Sequence, residues 1–161
     1  MKKALFLSAI LLFTGCSSIQ KTSKNVQNFS KCYIHKIPAP FWVCYQSPFL
    51  GVGKISTEKF SRIKEEESYS QGISSLIATL QSKTSLLFRK TDIDKAKTKK
   101  ILEDIKKFVI VNANEGKTWY DKKNKILYVQ AFVDENEFKN FLQKELKIDK
   151  KRFEKLYNET F

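Results

Sequence analysis

From Phe60 to Leu80 the apolar side chains recur every three or four positions, at Phe60, Ile63, Tyr69, Ile73, Leu76, Ile77 and Leu80. That is the period of one helix face, and it predicts a helix from Thr57 to Gln81 with Thr57 as cap and Glu58 at its positive end. Ser68, Gly72, Ser75 and Thr79 form a second stripe, whose small side chains let the helix lie close to a sheet or another helix. Glu65, Glu66 and Glu67 read as a solvated face. Ahead of this helix Pro48–Ile55 reads as a first strand, in which Gly51 and Gly53 imply a bulge or a close backbone approach. Behind it Thr84–Lys90 reads as a second strand. Asp92–Lys106 reads as an amphipathic helix, with Ile93, Ala96, Ile101, Leu102 and Ile105 set among lysines. Phe108–Val111 is apolar and β-branched, hence a third strand, running on past a break at 112–116 through Tyr120.

The clearest β signal is the hairpin formed by that run, the turn Asp121–Asn124 and a fourth strand, Ile126–Val133. Asp134 then caps a helix in which Phe138, Phe141, Leu142 and Leu146 share one face. After Ile148 and Asp149 a last helix carries Phe153, Leu156 and Tyr157. The order β-α-β-(α)-β-β-α-α is an α+β fold, a small antiparallel sheet covered on one face by a long helix, with extra C-terminal helices. The domain runs over 31–161, with a core at 31–133 and a helical tail at 134–161. Between Ile37 and Trp42 the prolines Pro38 and Pro40 hold the chain extended.

The first thirty residues follow a different pattern. Lys2 and Lys3 precede an apolar run, Ala4–Leu12, and then Phe13-Thr14-Gly15-Cys16. A charged start, a short apolar stretch and small residues before a cleavage site make 1–15 a secretory signal, too short for the ~20 residues of a membrane-spanning helix. Residues 16–30 are polar, with too little apolar surface to fold, and read as a flexible tether. The segment around Cys16 resembles the lipobox of bacterial lipoproteins, with Phe13 where Leu is usual. The resemblance implies cleavage between Gly15 and Cys16 and a diacylglycerol and an N-acyl chain on Cys16. Several acyl chains anchor stably where one does not. Ser17, in place of Asp, implies the outer membrane, with the domain facing the periplasm.

The formal charge is +13, two units of which leave with Lys2 and Lys3. Such a balance fits either a generally solvated lysine surface or contact with anionic lipid, lipopolysaccharide or another acidic polymer. The lysine-rich stretches 95–107 and 144–155 are the candidate contact surface. The aromatics sit at core-like spacings instead of alternating with lysines on one strand, which argues against nucleic acid as a partner.

Cys32 and Cys44 are an even pair in an exported chain, and the segment between them is short of helix signals. A disulfide is expected. Metal binding with His35 is the competing reading, though one His and two Cys make no zinc spacing. A Cys–His nucleophile would need both thiols free. No glycine-rich phosphate loop, G-x-S-x-G elbow or H-E-x-x-H pair is present in the sequence. No catalytic residue, metal or cofactor is therefore expected.

Pro40-Phe41-Trp42, Gly51-Val52-Gly53, the small-residue helix, Trp119-Tyr120-Asp121 and Tyr128-Val129 together resemble the Lpp-twenty family of membrane-associated lipoproteins, over about 38–133. That family includes the FlgP-type flagellar lipoproteins. The resemblance implies a dodecin-like α+β core, no enzyme activity and self-association. It also implies partners in the cell envelope and, for the flagellar branch, a ring around the motor at the outer membrane. Pro40, Trp42, Gly51, Gly53, Trp119, Asp121 and Tyr128 are the residues that carry it, and each also reads as core or edge packing.

Overall fold

In the computed structural model, which describes residues 31–161, the chain opens with a small hairpin of β1 (Tyr33–Ile34) and β2 (Ile37–Pro38). His35 and Lys36 form its two-residue turn, both with positive φ. That is the backbone whose twist matches a tight antiparallel pair. A single helical turn, α1 (Phe41–Cys44), follows. The extended segment expected up to Trp42 thus ends at Pro40, whose φ of −57° is compatible with the entry to a helix.

The main sheet joins β3 (Leu50–Ser56), β4 (Asn114–Asp121) and β5 (Ile126–Phe132) in the order β3-β5-β4, antiparallel throughout. Between β3 and β4 run α2 (Arg62–Phe88) and α3 (Lys95–Asn112), and α4 (Glu135–Leu146) and α5 (Lys150–Asn158) close the chain. The fold is α+β, a small antiparallel sheet under a long helix, as the periodicity predicts.

Two expected strands are helical. Thr84–Lys90 falls mostly in the last turns of α2, where Thr84, Leu87 and Phe88 continue the buried row Ser68, Gly72, Leu76 and Leu80. Phe108–Val111 is the end of α3, because Val109 extends the row Ile101, Ile105. A short apolar run cannot reveal its own period, and tertiary packing of the helix overrides β propensity. Ile110 and Val111, the residues that made the run look strand-like, are exposed. The cap of α2 also differs: Ser61 Oγ accepts from the Lys64 N–H, while the Thr57 hydroxyl donates to the Lys59 carbonyl. Asp94, Asp134 and Asp149 cap α3, α4 and α5 in the same manner.

Glycines set the helix-to-sheet distance. A Cβ on Gly53 would lie 2.7 Å from the Gly72 backbone nitrogen and run into the Ser68 carbonyl. One on Gly51 would run into the Gly72 carbonyl and lie 3.0 Å from the Leu76 Cβ. The close-approach reading of these glycines holds, and β3 pairs with β5 without a bulge. The irregularity lies in β4, between Glu115 and Thr118.

The main core fills the space where α2 and α3 meet α4 and α5, with Leu80, Leu87, Ile105, Phe138, Leu142 and Phe153 fully buried. Phe138 sits among four rings, Phe49, Phe108, Phe141 and Phe161, at centroid distances of 5.6–6.2 Å. The C-terminal helices are therefore part of the core and not an appended tail.

Candidate functional site

Residues of β5 alternate between two environments. Leu127, Val129 and Ala131 face α2, and the Ser68 hydroxyl donates to the Leu127 carbonyl. Tyr128 points to the other face, buried, and stacks on Trp119 of β4 with centroids 5.1 Å apart. The helical turn α1, which carries the buried Trp42, packs against β5. Pro40, Trp42, Trp119 and Tyr128 thus all belong to the sheet and the small N-terminal unit packed on it. Gly51 and Gly53 serve the α2 side.

A disulfide joins Cys32 to Cys44, with Cα atoms 5.7 Å apart. It closes the hairpin and α1 into one stapled unit. Both thiols are consumed, so the Cys–His nucleophile has no free thiol. His35 stands exposed at the hairpin turn, and among the described residues no cluster of three His, Cys, Asp or Glu could hold a metal. Gly15 and Cys16, with the expected signal peptide and tether, lie outside the described residues.

Asp121 closes the turn expected at Asp121–Asn124. Its carboxylate accepts from the N–H groups of Lys123 and Asn124 and from the Asn124 amide, at 2.7–3.0 Å. This side-chain turn, with Lys125 in the left-handed region, closes the β4–β5 hairpin. Desolvation pushes the Asp121 carboxyl up, but these hydrogen bonds and the charge of His35 outweigh it and hold it below its ordinary value. A lowered folded-state pKa contributes stability that is complete above the unfolded value and lost as pH falls through the folded one. Asp121→Ala is therefore expected to cost about 2 kcal/mol at neutral pH. The gap to wild type should narrow below about pH 4. Urea melts at pH 7 and pH 3 check this, and a gap unchanged between them would contradict it.

Two features were not visible in the sequence. An open groove of about 780 Å³ runs beside β3, lined by Tyr45, Ser47, Leu50, Thr79, Lys83 and Phe161. No Asp or Glu side chain lines it, and the Lys83 ammonium donates to the Thr160 carbonyl. Deeper, the Tyr157 hydroxyl and the Thr84 hydroxyl are buried with no hydrogen-bond partner among the described residues. Burial, and then the charges of Glu135 and Glu154, push the Tyr157 phenol well above its ordinary value. Both residues sit at core periodicity, so nothing in the pattern marks them.

The chain is thus a disulfide-stapled α+β domain whose motif residues serve packing and turn geometry. No protein-family model matches it, and no curated protein matches it either.

Proposed function

We propose that this chain is a non-enzymatic lipoprotein, held at the outer membrane by lipid on Cys16, that serves as a structural or assembly component of the cell envelope. One observation carries the reading: a charged start and a short apolar run lead directly into Phe13-Thr14-Gly15-Cys16. The Cys32–Cys44 disulfide supports it, because such bonds persist in oxidising compartments such as the periplasm. The resemblance to the Lpp-twenty family adds the finer part of the proposal. In it the domain associates with copies of itself or with other envelope proteins, in the flagellar branch around the motor.

Labelling cells with radioactive palmitate tests the anchor. The wild type is expected to take up label and fractionate with the outer membrane, whereas Cys16→Ala stays unlabelled and leaves that fraction. An unlabelled wild type, or a Cys16→Ala protein still in the outer-membrane fraction, would overturn the reading. A protein that is strictly monomeric and captures nothing from envelope extracts would overturn its assembly part.

A further inference from the structure

The starts of α3 and α5 lie side by side at one end of the domain. The Lys97 ammonium donates to the Leu146 carbonyl at the end of α4, and Arg152 in the first turn of α5 pairs with Asp92 just before α3. Lys95, Lys99, Lys100, Lys147, Lys150 and Lys151 gather around this junction. All six are exposed, and none forms an ion pair among the described residues.

The nearby acids answer only part of this charge. Asp94 and Asp149 keep their charge while they cap α3 and α5, and with Asp92, Glu103 and Glu145 they make five acids against these six lysines, Lys97 and Arg152, an excess of three positive charges. At the start of α2, a helix about 40 Å long for its 27 residues, the charges answer one another. There Arg62 meets Glu65, Glu66 and Glu115, Lys64 meets Glu67, and Lys125 meets Glu58.

The placement also runs against local preference. Beyond the caps Asp94 and Asp149 the first turns of α3 and α5 contain no acid, and Lys95, Lys150 and Lys151 put cations where the helix dipole disfavours them. Local mismatches of this kind are expected at surfaces that serve a function.

We propose that this end of the domain docks on the anionic phosphate surface of a phospholipid bilayer. Lysines supply mobile point charges and not the planar fork that reads one phosphate bidentately, so the surface suits a field of headgroups. No exposed aromatic stands among these lysines to stack on bases. The nearness of a membrane rests on the lipid-anchor reading. From Cys16 to Lys31 the chain spans at most about 50 Å, which keeps the domain within reach of the surface.

The test uses the processed full-length protein purified from cell membranes. It is reconstituted with vesicles of phosphatidylcholine alone or of phosphatidylcholine with phosphatidylglycerol, and its lysines are acylated with a membrane-impermeant reagent. Lys95, Lys99, Lys100, Lys150 and Lys151 are expected to react several-fold more slowly on the phosphatidylglycerol vesicles at low salt. The difference should vanish at high salt, and Lys122 and Lys123 on the β4–β5 turn should react alike on both.

In the variant Lys95→Glu, Lys150→Glu, Lys151→Glu, the docking equilibrium, read at Lys99 and Lys100, should fall by more than about fivefold for each lysine, since each replacement both removes a cation and adds an anion. Its melting temperature should hold or rise, since acids suit those first turns. Equal reactivity on both vesicles overturns the proposal. So does protection by single-stranded nucleic acid but not by phosphatidylglycerol. Failure of the anchor reads differently: the protein then does not float with phosphatidylcholine vesicles, yet still floats with phosphatidylglycerol ones in a salt-sensitive way.

Discussion

Replacing Gly53 by valine is expected to lower stability by about 4 kcal/mol, although valine is the better strand former. Gly53 has no positive φ, so what it supplies is room. A side chain there meets the backbone of α2 at Ser68 and Gly72, and backbone cannot swing aside as a side chain can. Relief requires α2 to lift from β3 and β5, which loosens its packing on Leu127, Val129 and Ala131. Ordinary overpacking costs about 1–3 kcal/mol, and here a whole helix must move. Against the 5–15 kcal/mol typical of native domains this is a large share. Valine at Lys54, one position along and exposed, is the control and should be close to neutral. Equal urea midpoints for Gly53→Val and wild type would refute the close-approach account.

The second large effect is expected from removing the disulfide. Cys32→Ser with Cys44→Ser opens a loop whose closure contributes about 3 kcal/mol in the chain-entropy model. The loss should be local first. Cys32 and Trp42 lie outside the main core cluster, in a unit whose helical turn packs on β5. The stapled unit should therefore come away from β5 before the helices melt, exposing Trp42 and the Trp119–Tyr128 stack. Tryptophan emission should shift to the red at lower urea than the loss of helical circular dichroism. Reduction of the wild type should do the same. If both signals still move together at the wild-type midpoint, the staple contributes nothing to holding this unit.

The sequence was most legible where period and punctuation agreed. The β4–β5 hairpin has aromatic residues before a polar turn and a nearly unbroken apolar strand after it, and the last two helices have an aspartate at each start. Glycine meaning was legible too, since Gly51 and Gly53 in a strand allow few readings. Legibility failed at the ends of the long helices. Thr84–Phe88 and Phe108–Val111 look like strands taken alone, and only a core neighbour four residues back shows the helix continuing. The cap at Ser61 was missed because Thr57 offered the same chemistry one turn too early. For the site, the sequence pointed to the disulfide pair and to the motif positions. It could not show that lysines fifty residues apart meet at one end, because that depends on how α3 packs against α4 and α5.

The staple also determines how the domain answers a pull. Tension entering at Lys31 reaches Cys32 and crosses directly to Cys44, so the β1–β2 hairpin is bypassed and stays slack. From Cys44 the force passes within six residues into Leu50, the first residue of β3. If it is directed along that strand, the seven paired positions between β3 and β5 are strained together in shear and not unzipped one by one. A domain drawn on from its N-terminal side would thus resist with its whole central ladder, while the small hairpin outside it keeps its shape.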